Sequence, residues 1–489
     1  MSIRIVVKYL GLVLLVLAGI LACPLVVSFA ARDGAYLGFL VPFLGSAAAG
    51  YLLWWVYPVN KRNLTRREGL ALVTCTWLIG SLVGAVPYSL TGTLPTYIDS
   101  FFEAMSGLTT TGATVFTSIG SQPVSILFWR NFSQWIGGMG IITFFVALFP
   151  MLGVGAARLF EAEMPGPQPE RLRARVVNTA RMLWFLYIGA SLLEFVLLYA
   201  VSEISLFDAA NITFATMPTG GFLHLSESIG AYAHLPYVTT VVTIFMLAAG
   251  VNFSLYYYFI GSRSVQWRFD TFLKNPEFRL YIGMFVVASA FITVNLVQSG
   301  GMDAAPALQH ATFQVASIQT TTGFATTDFD LWPSMSKGVL LILMLVGASA
   351  GSTGGALKVV RLLVVVKHSV RQIVASFSPR TVMPLKLGGE PVPEAMVSSI
   401  LGMAGLYALT VIVGFGIMAA LGLDALTAFS SVAATVGNVG PGFAAVGPVH
   451  DYAFIPAFGK LVLSACMLVG RLEFVTVLAL LTPAFWQWR

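Results

Sequence analysis

The sequence predicts an all-α polytopic membrane protein, with ten transmembrane helices arranged as a leading helix pair and four helix–pore loop–helix repeats around one pore. Three observations predict this fold class. The 489-residue chain is 57% hydrophobic and only 10% charged, and its mean hydropathy is +0.84. Apolar runs long enough to cross a bilayer recur along its length, and a Thr/Gly-rich turn recurs four times between them. Soluble globular chains carry about 25% charged residues, so the composition excludes a soluble protein.

The apolar runs define the ten predicted spans. They lie near residues 5–30, 35–57, 69–91, 124–150, 180–201, 236–261, 278–298, 336–366, 396–421 and 458–485. The first run follows Arg4 and Lys8 and resembles a signal peptide, but it exceeds the usual core of ~7–15 residues. We therefore expect a retained first helix.

The charged residues differ between alternate joints. Basic residues cluster after alternate spans: Lys61, Arg62, Arg66 and Arg67; Arg171, Arg173, Arg175 and Arg181; Arg263, Arg268, Lys274 and Arg279; Lys367, Arg371, Arg380 and Lys386. By the positive-inside rule, these joints and both termini face the cytoplasm. The net charge of +6 therefore reflects topology, and no nucleic-acid partner is expected.

The opposite joints are rich in carboxylates. They contain Asp99, Glu103, Glu203, Asp208, Glu227, Asp303, Asp328, Asp330, Asp424 and Asp451, against Lys337 and Lys460. Such an outer surface would concentrate cations and repel anions. The alternative is that the outer loops simply lack Lys and Arg because of topology.

Four outer joints share a short apolar segment followed by a Thr/Gly-rich turn. The turns are Thr109–Ala113, Met217–Phe222, Thr320–Phe324 and Val436–Phe443. Aligning Gly112, Gly220, Gly323 and Gly440 gives intervals of 108, 103 and 117 residues, each holding one further pair of spans. The predicted units are a leading pair (1–60) and pore repeats at 61–155, 156–262, 263–372 (with a broken second helix) and 373–489.

These four turns predict a cation pore. Irregular backbone at membrane depth occurs only where it lines a cavity or is buried in protein. A short helix that ends at the turn directs its partial negative charge there, and the carbonyls of the turn replace the water shell of a cation. Glycine reaches φ > 0 and lets successive carbonyls point inward. A single such turn would be ordinary, but four in register indicate a pore.

Two further features lie within predicted spans. Nine consecutive small residues, 347–355, should break the eighth span, because four of them are glycines and each costs about 1 kcal/mol in a helix. Close helix packing is the alternative. Arg471 lies near mid-membrane, where charge usually serves a function. We expect it to hold the small-residue segment or to act as an electrostatic barrier, and the alternative is a structural pair with Glu473, Glu194 or another carboxylate.

The sequence contains no nucleotide-binding motif and no Cys or His cluster for a metal. Cys23, Cys75 and Cys466 all lie in apolar runs and are interpreted as core thiols. Gly347–Gly351 matches the hydrolase nucleophile elbow around Ser349, but that site needs a strand-turn-helix context and a His partner. We therefore expect no enzyme activity and no cofactor in this chain.

The motifs together resemble the Trk/Ktr/HKT superfamily of potassium transporters, and within it the bacterial TrkH type, over essentially the full length. The shared features are the four turns, the run Gln134–Gly140, the small-residue break, and Gly470–Phe474 followed by Thr482–Phe485. The resemblance implies potassium as the transported ion. In the family, serine at the first-turn glycine accompanies sodium preference, so Gly112 favours potassium.

The resemblance also implies site residues. The selectivity filter maps onto Thr110, Thr111 and Gly112; Pro218, Thr219 and Gly220; Thr321, Thr322 and Gly323; Asn438, Val439 and Gly440. The fourth turn departs from the Thr-Thr-Gly pattern, so its carbonyls rather than its side chains are expected to contribute. An intramembrane gate maps onto Gly347, Ser349, Gly351, Ser352, Thr353, Gly354, Gly355 and Arg471.

Partners and location follow from the same resemblance. It implies a bacterial cell inner membrane, a homodimer, and a TrkA-like cytosolic regulatory subunit that binds a nucleotide, ATP/ADP or NAD. The basic joints would also attract anionic membrane lipid. Coupled symport of potassium with protons or sodium through the same pore stays open at this point. A broken-helix substrate symporter is the other alternative, but four units of one orientation argue against its paired inverted halves.

Overall fold

A computed structural model of the protein describes residues 3–57, 64–152, 169–201, 203–261, 270–378 and 383–487; in 141–152, 169–179, 201 and 260–261 the description covers the backbone only. The α-helices are α1 (Ile3–Ala31), α2 (Tyr36–Val56), α3 (Arg66–Leu90), α4 (Tyr97–Leu108), α5 (Val124–Leu152), α6 (Pro169–Val201), α7 (Leu206–Thr216), α8 (Pro236–Ala249), α9 (Phe253–Gly261), α10 (Pro276–Gly300), α11 (Ala304–Gln319), α12 (Ser334–Val346), α13 (Val359–Phe377), α14 (Glu394–Ala420), α15 (Ala425–Val436), α16 (Ala457–Arg471), α17 (Val475–Leu478) and α18 (Pro483–Trp486).

Among the described residues, a hairpin of two short strands is the exception to the all-α prediction. Strands β1 (Lys386–Leu387) and β2 (Glu390–Pro391) pair antiparallel. Gly388 and Gly389 form the turn between them, both with positive φ, as tight hairpin turns require.

The leading pair packs closely because two glycines face each other. A Cβ on Gly11 would lie 2.9 Å from the Gly50 carbonyl oxygen, and one on Gly50 would lie 2.7 Å from the Gly11 carbonyl oxygen. Small residues at such crossings let membrane helices approach closely. The pair also packs against α3, and α1 contacts α5. Cys23 on α1 is exposed and Cys75 is half-buried, so only Cys466 is the core thiol that was expected.

Six helices among the described residues are long and apolar enough to cross a membrane, and eight spans result if each of two bent helix pairs counts as one. The chain is therefore a multi-pass membrane protein, and the count of ten spans stays a prediction. The predicted eighth span is broken as expected, because α12 ends at Val346 and α13 begins only at Val359.

Two predicted spans are not single straight helices. The span at 236–261 bends by 91° between α8 and α9, and the span at 458–485 bends by 111° after α16. In the first bend, the N–H of Phe253 donates to the Gly351 carbonyl (3.0 Å), so a neighbouring loop supplies its partner. In the second, Glu473 and Phe474 have φ values of 58° and 43°, which no α-helix accommodates.

The buried core joins each repeat to the next. One cluster combines Phe102 and Trp129 with Val432 and Leu463. A second extends from α6, α7 and α8 to Phe313 on α11, and a third extends from α10–α12 to residues 433–443. The repeats therefore share their cores around a closed arrangement. Of the predicted unit boundaries, 60, 155 and 262 lie outside the described residues, and 372 falls inside α13, which ends at Phe377.

Candidate functional site: a ring of four turns

Each turn follows a short helix that begins at a polar cap. Helices α4, α7 and α15 start after Thr96, Ser205 and Asp424, whose side chains each accept a backbone N–H at 3.1 Å. Helix α11 starts after Asp303 without a side-chain cap bond. The three capping side chains satisfy free N–H groups at the start of their helices. The carbonyls at the other end, which have no partner within the helix, lie next to the turns.

The four helices end in the same way. Two backbone hydrogen bonds close each helix end. In the first bond, a backbone N–H donates to the carbonyl three residues earlier; the donors are Thr110, Thr219, Thr321 and Asn438. In the second bond, the N–H donates to the carbonyl five residues earlier, always at 2.8 Å; the donors are Thr111, Gly220, Thr322 and Val439. This is the Schellman motif, which needs one left-handed residue. That residue is threonine three times and asparagine once, with φ between 51° and 61°.

The left-handed threonines mark the turns as strained. Glycine usually holds this position, and positive φ is a genuine outlier for a β-branched residue. Strain of this kind persists only where the surroundings fix the backbone, and it clusters at functional sites. Three strained threonines at equivalent positions in one chain therefore indicate a functional element.

The backbone also fixes the register between the turns. Two residues after each left-handed residue, a glycine with φ between 78° and 97° follows: Gly112, Gly221, Gly323 and Gly440. The counterpart of Gly112 in the second turn is thus Gly221, and the sequence alignment, which chose Gly220, was one residue early there. The equivalent triplets are 110–112, 219–221, 321–323 and 438–440. Pro218, predicted as part of the filter, precedes the second triplet.

A sequence signal for this register exists. The second turn reads Thr219-Gly220-Gly221-Phe222 and the third reads Thr321-Thr322-Gly323-Phe324. Matching the two phenylalanines would have identified Gly221.

The four glycines close a ring. A Cβ on each would collide with the carbonyl oxygen of the middle residue in the next turn: Gly112 with Gly220, Gly221 with Thr322, Gly323 with Val439, and Gly440 with Thr111. The contacts run from turn one to four and back to one. The sequence-predicted residues other than Pro218 therefore meet around one axis, with Gly221 added.

An open cavity lies on one side of the ring, and all four glycines line it. Asp451, His450 and Tyr452 form part of its wall. The hydroxyl of Tyr452 donates to the Gly440 carbonyl (2.8 Å). The cavity thus leads from a carboxylate directly to the ring.

Not all of the predicted outer carboxylates contribute to a negative surface. Glu103 is buried and pairs with Arg130 (2.8 Å), and Asp99 is buried and pairs with Lys460 (2.5 Å). Asp330 lies 3.6 Å from Lys337. Arg130 was not included in the charge comparison of the sequence, because it lies in an apolar run. The negative surface is therefore smaller than the ten carboxylates predict.

The small-residue loop, 347–358, lies on the other side of the ring. Its Gly355 N–H donates to the Thr321 hydroxyl (2.8 Å), and its Thr353 hydroxyl donates to the Met217 carbonyl (3.2 Å). A Cβ on Gly355 would also collide with the Gly437 carbonyl oxygen. The loop thus contacts three of the four turns and lies beneath the ring.

Buried charged groups hold both ends of this loop. Glu277 on α10 accepts from the N–H groups of Ala350 (2.6 Å) and Val360 (3.3 Å). Glu473 accepts from Lys358 (2.9 Å) and Arg361 (2.6 Å). We call Glu473, Lys358 and Arg361 the ion cluster. Sequence reasoning missed Glu277, Lys358 and Arg361, because nothing local links them to the loop.

Arg471 reaches the middle of the loop. Its Nη1 donates to the Thr353 carbonyl (2.6 Å), and its side chain is only 3% exposed. Within the described residues, Arg471 pairs with neither Glu473 nor Glu194, and its Nε and Nη2 atoms have no hydrogen-bond partner. The alternative of a structural pair with these carboxylates is therefore wrong. Ser349 follows helix α12 in this loop, whereas a nucleophile elbow follows a strand.

Comparisons with known proteins agree with this architecture. The family described as "TrkH: Cation transport protein" matches residues 39–487. The Trk system potassium uptake proteins TrkH of Salmonella typhimurium and of Escherichia coli K12 are each 37% identical, with all of both chains covered. The crystal structure of the potassium transporter TrkH from Vibrio parahaemolyticus superposes with a TM-score of 0.91 at 34% identity, also with all of both chains covered.

Proposed function

The chain belongs to the TrkH family of cation transport proteins, and from this membership we propose that it takes up potassium ions selectively across a bacterial inner membrane. As a family member it is a multi-pass membrane transporter and not an enzyme. The observation that carries the proposal is the closed ring, in which four equivalent turns bring glycines and carbonyls to one axis.

In this proposal the ring is the selectivity filter. A potassium ion exchanges its water shell for carbonyl oxygens of the triplets 110–112, 219–221, 321–323 and 438–440, as carbonyl rings do in channels. The four helix C-termini add partial negative charge toward the same axis. Gly112, rather than serine, keeps the contact with the Gly220 carbonyl free of a side chain.

The loop beneath the ring is the proposed gate. It lies across the path that an ion leaving the ring would take, because it contacts the second, third and fourth turns. Arg471 places a positive charge there and holds the Thr353 carbonyl. An ion passes when the loop moves aside and that hydrogen bond breaks.

The inward membrane potential supplies the driving force in this mechanism. A monovalent cation gains ~2.3 kcal/mol per 100 mV on crossing inward, so accumulation needs no ATP hydrolysis in this chain. Coupled symport with protons or sodium would use the same ring. The two mechanisms differ in whether a second ion gradient changes the flux.

The remaining assignments belong to the same proposal. The chain forms ten spans with both termini cytoplasmic, as a leading pair followed by four pore repeats, the third of which extends to the end of α13. It acts as a homodimer with a TrkA-like cytosolic subunit, which carries the regulatory nucleotide. The full-length similarity to Trk system potassium uptake proteins supports placing the chain in such a system, and the basic residues of the predicted cytoplasmic joints support the orientation.

Reconstitution of the purified protein in vesicles tests the proposal. We expect potassium flux at a fixed voltage without a pH gradient, a much smaller sodium flux, and a change in flux when the cytosolic subunit and nucleotide are added. Vesicles without protein provide the background. Absence of potassium flux, or equal sodium flux, would contradict the proposal. A flux that requires a proton or sodium gradient would favour symport.

A further inference from the structure

The middle residue of the second turn differs from its three counterparts. Thr111, Thr322 and Val439 each carry a β-branched side chain there, whereas Gly220 carries none. The hydroxyls of Thr111 and Thr322 lie 2.8 and 2.7 Å from the threonine hydroxyls two residues earlier. These hydrogen bonds stabilise the first and third turns. The second turn has no such side chain of its own.

Gln134 of α5 occupies the vacant position. A Cβ on Gly220 would lie 2.5 Å from both the Cδ and Oε1 atoms of Gln134 and 2.9 Å from its Nε2 atom. The Gln134 side chain is fully buried. Gly220 does not have a positive φ, so its backbone accepts a side chain, and the nearest atoms that would exclude one belong to Gln134.

The amide of Gln134 also forms hydrogen bonds with the backbone of both neighbours of the ring glycine Gly221. Its Nε2 donates to the Gly220 carbonyl (2.6 Å), and its Oε1 accepts from the N–H of Phe222 (3.1 Å). A carbonyl oxygen has two lone pairs, so the Gly220 carbonyl keeps one for an ion. The two bonds fix the backbone on both sides of Gly221.

Helix α5 is itself packed closely against the end of α4 and against the second turn. Its Gly137 faces the Leu108 carbonyl and its Gly138 faces Pro218, both at distances that leave no room for a Cβ. Asn131 donates to the Asn211 side chain of α7 (2.7 Å). Asn131, Gln134 and Gly138 lie on one helix face at intervals of three and four residues, so the amide is presented by a rigid element.

We propose that Gln134 is a positioning residue that determines ion selectivity: it replaces in trans the missing side chain of the second turn and sets the position of the Gly220 carbonyl in the ring. This inference rests on the proposed function of the ring as the potassium filter. Selectivity depends on the geometry or the field strength of the carbonyl ring, and loosening one of four turns changes both.

The test compares Gln134→Ala and Gln134→Met in vesicles, by the ratio of potassium to sodium flux. The methionine variant keeps the volume without the amide. We expect both to lower the ratio roughly tenfold, the size expected for losing one or two buried hydrogen bonds. Gln309→Ala is the matched control, because Gln309 also holds a backbone carbonyl, that of Ala233 (3.0 Å), away from the turns. Gel filtration and thermal melting check that each variant is folded.

A reciprocal exchange tests the shared space. Gly220→Val, which introduces the residue of the fourth turn, should abolish selective flux because the valine collides with Gln134. The double variant Gln134→Ala with Gly220→Val should recover flux above that of Gly220→Val alone. Without that recovery, the assignment of the space is wrong.

The outcomes separate the two proposals. If the wild type carries no potassium, the proposed function fails. If the wild type is selective and both Gln134 variants keep its ratio, or Gln309→Ala lowers the ratio equally, only the role of Gln134 fails.

Discussion

The ring and the loop beneath it are both irregular backbone within a membrane protein, but different chemistry holds them. The triplets of the ring are held by backbone hydrogen bonds of their own short helices, by close glycine contacts and by neutral side chains such as Gln134. The buried Glu103–Arg130 pair bonds to the backbone of Val115 and Leu223, beyond the first two triplets. The loop is held at its ends by Glu277 and by the ion cluster, and at its middle by Arg471.

The difference has an energetic consequence. Neutral hydrogen bonds contribute about 1 kcal/mol each, so the triplets of the ring are stabilised by many small contributions. Removing one partner of a buried charge pair costs about 3–5 kcal/mol, because it leaves the other charge uncompensated. The loop therefore depends on a few large contributions, and a single change there shifts its position. Such an arrangement suits a filter that stays fixed above a gate that moves.

The ion cluster should give the largest single effect. Glu473→Gln leaves Lys358 and Arg361 buried without their carboxylate. We expect the free energy of unfolding to fall by about 3–5 kcal/mol, measured by thermal and denaturant unfolding in detergent.

Glu394→Gln provides the matched control for this change. Glu394 pairs with Arg371, but it is 71% exposed, and exposed pairs contribute at most about 1 kcal/mol. Equal destabilisation by the two substitutions would remove the distinction between the loop and an ordinary surface.

The next effect is expected at Arg471. Arg471→Ala removes the hydrogen bond to the Thr353 carbonyl and the positive charge beneath the ring. Hydrogen bonds from charged groups contribute about 1.5–3 kcal/mol, so potassium flux without the cytosolic subunit should rise at least about tenfold. Arg67→Ala is the control, since Arg67 also donates to carbonyls, those of Phe485 and Gln487, at the protein surface. Unchanged flux in Arg471→Ala would contradict the gate.

A smaller effect is expected at the ring. Gly112→Ser introduces a side chain at φ 87° that collides with the Gly220 carbonyl. A left-handed conformation costs about 1–2 kcal/mol for a residue other than glycine, so we expect the potassium-to-sodium flux ratio to fall roughly tenfold.

The control for the ring is Gly92→Ser. Gly92 has a φ of 68° and open space around its Cβ position, so this variant shares the backbone strain without the carbonyl contact. If Gly112→Ser and Gly92→Ser affect selectivity alike, the contact between neighbouring turns has no role in it.

The two regions also differ in how far the sequence predicts them. Hydropathy averaged over about 20 residues finds spans, and it located the long apolar helices among the described residues. The break at Gly347 was predicted from the run of small residues, because glycine disfavours a helix. Hydropathy missed the bends after α8 and α16, because an average over that many residues stays apolar despite Gly250 and Asn252 at the first bend and Arg471 and Glu473 at the second. The four short helices and their turns were found as a repeat, since glycine and threonine recur at similar intervals.

Finer features depend on contacts that no local pattern encodes. The register of the second turn was wrong by one residue because two glycines, Gly220 and Gly221, follow each other there, and only Gly221 has the positive φ of the ring glycines. Lys358 and Glu473 are 115 positions apart, and the one ion pair that the sequence suggested for Glu473, with Arg471, is not the pair that forms. Gln134 was part of a recognised run, but its role depends on the missing side chain of Gly220.

The smallest effect is expected at Asp33, a charge held only by neutral donors at the joint between α1 and α2. Burial opposes its ionisation, but hydrogen bonds from Ser125, Ser28 and the N–H of Ala35 outweigh burial and hold the pKa of Asp33 below its ordinary value. A lowered pKa stabilises the fold above the ordinary value near 3.8, and this contribution is lost as the pH falls through the lowered pKa. Asp33→Asn should therefore cost only about 0.5 kcal/mol at pH 7. Its melting temperature should converge with that of the wild type as the pH falls below 4. A loss as large as that of Glu473→Gln, or one independent of pH, would contradict the small contribution expected of a carboxylate that accepts hydrogen bonds from neutral groups.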